Sequence, residues 1–357
     1  MLKRLDWYII KKFLGTYIFA IVLILAITIM FDINEKLDSF LKAPLDATIF
    51  DYFLNFLPYF ANQFSPLFTF IAVIFFTSKL ADNSEIIAML ASGVSFKRLM
   101  LPYMVSAAVI AASSYVLSAY IIPPANVERI EYTNTYVKNK RVDYGSNIQM
   151  KVAHGQIAYM SRYDNTTKTG YKFSLESFED KKLVSRLTAQ NIKWDTLYQW
   201  QVRDYMIRDF KGAREEIQKG KRLDTIITIE PRDFLIAKND HEMMTSPQLK
   251  EYISRQKERG VANIKSFEIE DERRFAMCAA AFILTIIGMS LSSKKVKGGM
   301  GINIGIGLVL SFSYILFSTV TSTFAISGLT SPFIAMWIPN FIYIIIAVIL
   351  YRKASVG

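Results

Sequence analysis

The longest uncharged stretch of this 357-residue chain runs from Gly298 to Tyr351, 54 consecutive residues without Asp, Glu, Lys or Arg. An apolar helix of about 20 residues is long enough to cross the hydrocarbon core of a bilayer. This stretch is therefore long enough for two such helices, whereas a soluble enzyme would place charges at the surface of every helix of that length. The sequence predicts an integral membrane protein.

Six segments with few or no charges are long enough to span a membrane, three on each side of a long insertion. They are Phe13–Phe31, a part of Tyr52–Ser78, and about Leu99–Ile122, Phe275–Ser292, Gly301–Phe324 and Phe333–Tyr351. Pro58 and Pro66 predict a kink in the second span, and Pro123 with Pro124 predicts the end of the third. The expected organisation is spans one to three in 1–122, an inserted domain in 123–272, and spans four to six in 273–357.

The short loops differ in their content of Lys and Arg, which sets the orientation of a membrane protein. The N-terminus, loops 79–98 and 293–300, and the C-terminal tail together hold twelve Lys and Arg residues. The opposite short loops, 32–51 and 325–332, hold two. Because cytoplasmic loops carry the excess of basic residues, both termini are predicted to be cytoplasmic and the insertion to face outward.

The insertion alternates apolar and polar residues in short segments such as 148–152 and 171–175. Turn-rich breaks such as 164–167 separate these segments, and this pattern is typical of an antiparallel sandwich or open barrel. One helix, about 247–259, is expected to follow, with Ser246 as its cap, Pro247 at its first position and Gly260 beyond its end.

Several classes of function lack the residues that they need. Cys278 is the single cysteine, so an intrachain disulfide is excluded, and two histidines leave little for a metal site. The net charge of +11 is divided between the membrane flanks and a mixed-charge domain, without a basic stripe that would bind nucleic acid. No nucleotide-binding or hydrolase motif occurs. The chain is predicted to be neither an enzyme nor a cofactor-binding protein.

Two short features favour contacts with other helices or subunits. Gly301 and Gly305 form a small-xxx-small pair, which allows close helix packing or a sliding contact. In the loop 82–95, Ile86, Met89 and Leu90 recur at helical spacing and Gly93 follows, so a short amphipathic helix is expected at about 83–92.

Two interpretations of this loop helix are open. In the first, Glu85 only closes a capping box with Asp82, and the helix lies on the membrane surface. In the second, it is a coupling helix that fits a groove in a cytoplasmic motor subunit.

The loop segment 84–95, Ser-Glu-Ile-Ile-Ala-Met-Leu-Ala-Ser-Gly-Val-Ser, resembles the corresponding segment of the LptF/LptG (YjgP/YjgQ) permease family. Further similar segments are 5–9, the prolines and phenylalanines of 58–76, 244–253, 326–329 and 337–340. The resemblance covers essentially the whole chain. Segment 5–9, Leu-Asp-Trp-Tyr-Ile, resembles the LptG branch slightly more than the LptF branch.

The resemblance implies an LptF–LptG-type heterodimer on a cytoplasmic LptB-type ATPase dimer, which binds the ATP and Mg²⁺. This complex would extract lipopolysaccharide from the Gram-negative inner membrane and pass it to a periplasmic LptC/LptA-type jellyroll bridge. The permease's own periplasmic domain would be jellyroll-like. The implied ATPase contacts are Glu85, Met89, Ala91, Ser92 and Gly93. The implied lateral-gate residues, on the first and fifth spans, are Phe31, Gly301, Gly305, Phe312, Phe317 and Phe324.

Two departures from the family concern basic residues. Where some members carry a basic residue near the outer end of the first span, this chain has Asp32, with Lys36 one turn further out. Where the family has a proline before the fourth span, this chain has Arg273 and Arg274. All three basic residues are candidates for contact with lipid phosphates, and the two arginines are also candidates for simple snorkelling to the interface.

Two other functions remain open from the sequence alone. One is an ABC-associated permease for another lipid or for lipoproteins. The other is a membrane scaffold that does not transport, whose periplasmic domain binds a partner.

Overall fold

The computed structural model describes residues 3–137, 144–212, 214–231, 240–258, 264–294 and 300–356. The chain forms two compact units. The first comprises Met1–Val137, Glu242–Ser246 and Lys265–Gly357, and the second comprises Lys138–His241 and Pro247–Ile264.

The described residues contain eleven α-helices, six of which are long and apolar enough to cross a membrane. The helices are α1 (Arg4–Phe40), α2 (Leu45–Ala47), α3 (Leu54–Gln63), α4 (Ser65–Asp82), α5 (Glu85–Ala91), α6 (Phe96–Val116), α7 (Ile122–Tyr132), α8 (Ser246–Glu258), α9 (Lys265–Ser292), α10 (Met300–Ile326) and α11 (Pro332–Val356). The candidate spans lie in α1, α4, α6 with its extension, α9, α10 and α11. The prediction of six membrane-spanning helices is therefore confirmed.

Helices α4 and α9 form the centre of the membrane unit. The most apolar window of α4 is 78% buried and that of α9 is 61% buried, against 6% for α1 and 22% for α10. Helix α4 packs against α1 on one side and against α9 and α10 on the other, and α9 also packs against α6 and α11. The two outer helices, α1 and α10, therefore leave most of their apolar surface uncovered by this chain.

The second span is broken at the position that its prolines predict. Phe64 separates α3 from α4 with φ −102° and ψ 12°, and Pro66 lies in the first turn of α4, where a backbone N–H is not needed. Pro58 lies inside α3. The hydroxyls of Tyr17 and Ser65 share a hydrogen bond of 2.9 Å at the break. The expected kink and its polar surroundings are present.

The helix of the third span continues past Pro123 and Pro124, where the sequence predicts its end. A π-helical turn, Leu117–Ile121, precedes the two prolines, which then occupy the first turn of α7. Proline is tolerated in a first helical turn because its missing N–H would have no partner there. Helix α7 continues to Tyr132, and another π-helical turn follows over Thr133–Val137.

The helix of the fourth span begins earlier than the predicted start of that span. Helix α9 starts at Lys265, ten residues before the predicted start at Phe275. Its first turns are charged, so a search for apolar residues could not include them. Glu270, Arg273 and Arg274 therefore lie inside the helix rather than in a loop.

The described parts of the loops that the Lys and Arg count assigns to one side lie together at one end of the bundle. Leu5, the buried Ile86 of α5, and Tyr351 pack in or against one core cluster. The Phe96 and Tyr351 rings are 5.6 Å apart, and Lys294 Nζ donates to the carbonyl of Lys353. At the other end, the hydroxyls of Thr48 and Tyr132 are hydrogen-bonded at 2.7 Å.

The second unit contains an antiparallel sheet of six strands. They are β1 (Tyr144–Ala153), β2 (Gln156–Asp164), β3 (Thr169–Glu179), β4 (Lys182–Thr196), β5 (Gln199–Lys211) and β6 (Arg214–Ile226). The strand order is β1-β2-β3-β4-β5-β6. The predicted antiparallel β domain inserted between the third and fourth spans is confirmed. Its described strands form a meander, without the crossovers of a double Greek key.

A line of left-handed residues crosses this sheet. Asn147, Lys172 and Asp204, on alternate strands, have φ values of 52°, 50° and 51°. The strand register places each of them on the same transverse line, where Asn147 and Lys172 both lie opposite Ser161. Residues with positive φ inside strands bend the strand locally.

The apolar alternation slips by one residue at this line. On β2, the buried Met160 lies on one side of the line and the buried Tyr163 on the other. On β4, Ala189 and Ile192 are related in the same way. A strict alternation would have sent one arm of each strand outward. Because of the slip, both arms of the sheet contribute to one apolar core, in which Trp200 donates to the carbonyl of Ile229 at 2.9 Å. Burial and the charge of Asp164 raise the pKa of Tyr163 in this core.

A helix is present where one was predicted, but α8 runs from Ser246 to Glu258, so Ser246 is its first residue and not its cap. The predicted end of this helix at Gly260 lies outside the described residues.

Candidate functional site

Helix α5 is a short helix between α4 and α6 whose ends have defined backbone conformations. Ser84 precedes it with φ 62°, and Gly93 follows it with φ 87°. A positive φ at Gly93 is the left-handed conformation with which many helices end. The predicted helix at about 83–92 and its glycine end are therefore present in the structure.

One face of α5 packs on the bundle and the other is exposed. Ile86 is buried, and Met89 packs against the same core cluster. Ile87 is 53% exposed and Leu90 is 39% exposed. Ala91, Ser92 and Gly93 are exposed as well. The uncovered stripe is thus Ile87, Leu90 and Ala91, which sequence reasoning missed because the stripe of Ile86, Met89 and Leu90 has the same helical spacing.

Glu85 does not form the expected capping box. Asp82 is the last residue of α4, and the N-cap of α5 is Ser84, without a side-chain cap. The Glu85 carboxylate instead accepts hydrogen bonds from the Tyr8 hydroxyl and from Asn83 Nδ2, each at 3.2 Å. The capping-box prediction is wrong because the three-residue spacing does not reveal where the preceding helix ends.

A partly buried ion pair lies next to α5 and was not found from the sequence. Arg98, near the start of α6, donates from both terminal nitrogens to the two carboxylate oxygens of Asp6, at 2.7 and 2.6 Å. Asp6 is 2% exposed and also accepts from the backbone N–H of Lys3. Ser95 caps α6 by accepting from the backbone N–H of Arg98. The first turn of α1 is thereby joined to the residues that follow α5.

The predicted gate residues lie on the two helices that the bundle covers least. Phe31 on α1 is 71% exposed, and Phe312 and Phe324 on α10 are 52% and 47% exposed. Phe317 is partly buried. Helices α1 and α10 both pack against α4. The structure therefore places the predicted gate residues on uncovered apolar faces on either side of one buried helix.

The glycines of α10 fall into two groups. A side chain built at Gly301 or Gly305 would meet no atom of the described residues within 4 Å, so there is open space at both positions. At Gly307 an added Cβ would collide with Ile74 of α4. At Gly288 of α9 it would lie 2.8 Å from Val73. Close packing inside the chain therefore depends on Gly307 and Gly288, neither of which belongs to the predicted pair.

The three basic residues considered for phosphate contact are engaged with neighbouring side chains. Lys36 forms an ion pair with Asp32 and donates to the Tyr52 hydroxyl. Arg274 is buried, pairs with Glu270 at 3.0 Å and also donates to the Ser246 hydroxyl. The charge of each of these two residues is largely compensated within the chain.

The side chain of Arg273 is more exposed to solvent than that of Arg274. It pairs with Glu270 at 2.7 Å and donates to the Gln63 side chain. It also lines a cavity of about 270 Å³. The other lining residues include Tyr314, Ser318, Thr319, Ser322 and Met336. This cavity combines one guanidinium, several hydroxyls of α10 and apolar side chains that come mostly from α9 and α11.

A further polar cluster, also missed from the sequence, lies beside this cavity. Arg129 of α7 pairs with Glu242 at 3.6 Å, donates to Asn126 and lies 4.3 Å from the centre of the Tyr59 ring. It was missed because the third span was expected to end before Arg129. Within the described part of the chain, no three His, Cys, Asp or Glu side chains come together as metal ligands.

The comparison with known families is consistent with this arrangement. Residues 7–353 match the family model described as lipopolysaccharide export system permease LptF/LptG. A search of curated proteins found no match. The family match includes all six apolar helices, the β sheet and α5. This chain is therefore a multi-pass inner-membrane protein that belongs to the LptF/LptG family of lipopolysaccharide export system permeases.

Proposed function

We propose that this chain is one of two transmembrane permease subunits of an ABC-type exporter, which extracts lipopolysaccharide from the inner membrane and passes it to a periplasmic bridge. The observation that carries this proposal is the pair of uncovered apolar helices, α1 and α10, on either side of the buried α4. A multi-chain lipid can lie against such helices without leaving an apolar environment.

The first proposed partner is a paralogous permease that covers α1 and α10. Gly301 and Gly305 have open space above them, which would let a helix of the partner approach the backbone of α10 closely. In this arrangement α10 lies against the first span of the partner, and lipid enters where the two helices part. Phe31, Phe312, Phe317 and Phe324 then contact acyl chains.

The second proposed partner is an LptB-type ATPase dimer in the cytoplasm, which binds the ATP and Mg²⁺. The exposed stripe of Ile87, Leu90 and Ala91, with Ser92 and Gly93 at its end, supplies an apolar contact of the size of one short helix. Glu85 supplies a charge at its beginning. Since Met89 packs on the bundle, its proposed part is to hold α5 in place.

A motor is needed because the exported lipid must leave the bilayer. Exposing acyl chains to water costs about 0.8 kcal/mol for each CH₂ group. An LptF/LptG-type subunit is a permease rather than an enzyme, so the energy has to come from a separate subunit. The β unit is proposed to receive these chains, and an LptC/LptA-type jellyroll bridge is the proposed next acceptor.

The proposed orientation places both termini and α5 in the cytoplasm and the insertion between the third and fourth spans in the periplasm. It is supported by the twelve Lys and Arg residues in the loops at one end. Among the basic residues, Arg273 is the proposed contact for a lipid phosphate, since it lines a cavity beside α10. Lys36 is a weaker candidate because Asp32 compensates its charge, and Arg274 is a weaker candidate because it is buried.

Purification of the tagged chain from native membranes in mild detergent tests this proposal. The expected result is co-purification of a nucleotide-binding ATPase and a second permease in fixed ratio, with an ATPase activity that lipopolysaccharide stimulates more than phospholipid does. Absence of any ATPase would favour a scaffold that does not transport. Equal or greater stimulation by another lipid or by a lipoprotein would favour a permease of different specificity.

A further inference from the structure

The first turns of α1 are joined to both sides of α5 by polar contacts. Asp6 holds Arg98, which lies three residues after the cap of α6, and Tyr8 donates to Glu85, the first residue of α5. Only residues 92–95 separate α5 from α6. The beginning of α1 therefore contacts this segment twice, at the first residue of α5 and, after α5, at Arg98.

Apolar packing reinforces these contacts. Ile9 and Phe13 of α1 are both 0% exposed, and Ile86 of α5 is 1% exposed. All three belong to one core cluster, together with Phe96 and Leu99 of α6. Closely packed side chains resist relative displacement, so this cluster, which also includes Phe76 and Leu80 of α4, restrains the start of α1 against α5 and α6.

Helix α1 continues from this cluster and is long and apolar enough to cross a membrane. It has helical geometry from Arg4 until Lys36, where φ is −114° and ψ is 17°. At about 1.5 Å for each residue, this length exceeds the thickness of the hydrocarbon core. Because only 6% of its most apolar window is buried, the middle of α1 is held by few contacts in this chain, and its far end is held by Lys36 and Phe40 against Tyr52.

We infer that Asp6 and Arg98 are positioning residues that make α5 and α1 move together. Displacement of α5 by the ATPase would then tilt α1 and move Phe31, near its far end. This inference rests on the proposed function and adds to it the route by which the motor acts on the gate. The two-point hydrogen bonding of the pair fixes its orientation as well as its distance.

The experiment follows a spin label on a cysteine that replaces Phe31, in a chain whose Cys278 has been replaced by serine. The label's ATP-dependent change in mobility is measured in the purified complex with the ATPase. The single reversals Asp6→Arg and Arg98→Asp should reduce this change at least about fivefold, the lower end of typical coupling between linked sites. The double variant Asp6→Arg/Arg98→Asp should regain most of it, and all three should still bind the ATPase.

Tyr8→Phe is a milder variant, because Tyr8 is partly exposed and loses only a hydroxyl. It should reduce the Phe31 signal to a smaller extent. Tyr103→Phe is its matched control, since it removes the contact of Tyr103 with Thr77 between α6 and α4. This control should leave the signal unchanged.

The possible outcomes separate this inference from the proposed function. If the unmodified complex contains no ATPase, the proposed function fails. If it contains one, a full Phe31 signal in the single reversals, a double variant no better than the singles, or loss of ATPase binding together with the signal contradicts the inference. If the reversals do not accumulate in the membrane, Tyr8→Phe decides: a reduced signal supports the inference and an unchanged signal overturns it.

Discussion

Glu85 is held in place by contacts within this chain. Its carboxylate accepts from Tyr8 and Asn83 at 3.2 Å, and it begins a helix whose apolar stripe is exposed. An acidic residue in a first helical turn also interacts favourably with the helix dipole. The side chain is thus fixed near the surface, which suits a charge-assisted contact to a partner better than a purely local cap.

Replacing this carboxylate tests the motor contact. Glu85→Gln keeps the shape and the hydrogen bond from Tyr8 but removes the charge. We expect normal expression and a clear loss of ATPase binding or of lipid-stimulated ATPase activity, because a hydrogen bond to a charged group is worth about 1.5–3 kcal/mol. Glu35→Gln, the same change at an exposed position toward the other end of α1, is the control. Wild-type coupling in Glu85→Gln would leave Glu85 with a local role only.

The glycines of α10 allow a second comparison between neighbouring residues. Gly307→Ala places a methyl group against the buried Ile74, whereas Gly305→Ala places it in open space. We expect the change at Gly307 to lower the stability of the isolated chain by about 1–3 kcal/mol, the usual cost of overpacking. Thermal unfolding in detergent measures this. An equal effect of both changes would contradict the packing described here.

Residue contacts were the part that the sequence predicted least well. The Glu270–Arg273–Arg274 group has the three- and four-residue spacing of helical ion pairs, yet the spacing carries this meaning only inside a helix. Since the fourth span was expected to begin at Phe275, the ion pairs of Glu270 with the two arginines could not be recognised from the sequence. The contact between Asp6 and Arg98 joins residues 92 positions apart, and no local pattern indicates it.

At the scale of elements, the apolar runs were sufficient to predict six membrane helices but not their ends. Charged first turns extend α9, and a π-helical turn lets the third span continue through two prolines. The sheet was predicted from the alternation of apolar and polar residues. Because this alternation slips by one residue at the bend, the sequence did not indicate that both arms of the sheet contribute to one core. Which helices stay uncovered could not be read from composition, since all six are apolar.

The uncovered face of α10 gives a prediction for lipid contact. Photo-crosslinking residues at Phe317 and Phe324 should capture lipopolysaccharide in the complex, and the yield should change when ATP is added. Val109 on α6 is the control, because it is 46% exposed and Phe324 is 47% exposed. Probes at the two positions are therefore equally accessible. Equal capture at all three positions would mean that the probes detect ordinary bilayer lipid and that α10 is not the gate.

For the whole molecule, the topology determines whether the β sheet can meet a periplasmic partner. In a chain without Cys278, a cysteine that replaces Lys353 should be protected from an impermeant thiol reagent in intact spheroplasts. Cysteines that replace Lys42 or Asn165, both exposed, should be labelled. These expectations follow from the excess of basic residues in the loops of one end. Labelling at Lys353 with protection at Asn165 would reverse the orientation.

The central claim is that this chain removes lipopolysaccharide from the membrane when ATP is hydrolysed. The most direct measurement is mass spectrometry of the lipids that remain bound to the purified complex, before and after incubation with ATP and Mg²⁺ and a soluble periplasmic acceptor. The account predicts bound lipopolysaccharide that passes to the acceptor only with hydrolysable ATP. Phospholipid as the only bound lipid, or lipopolysaccharide whose amount on the complex does not change with ATP, would contradict it.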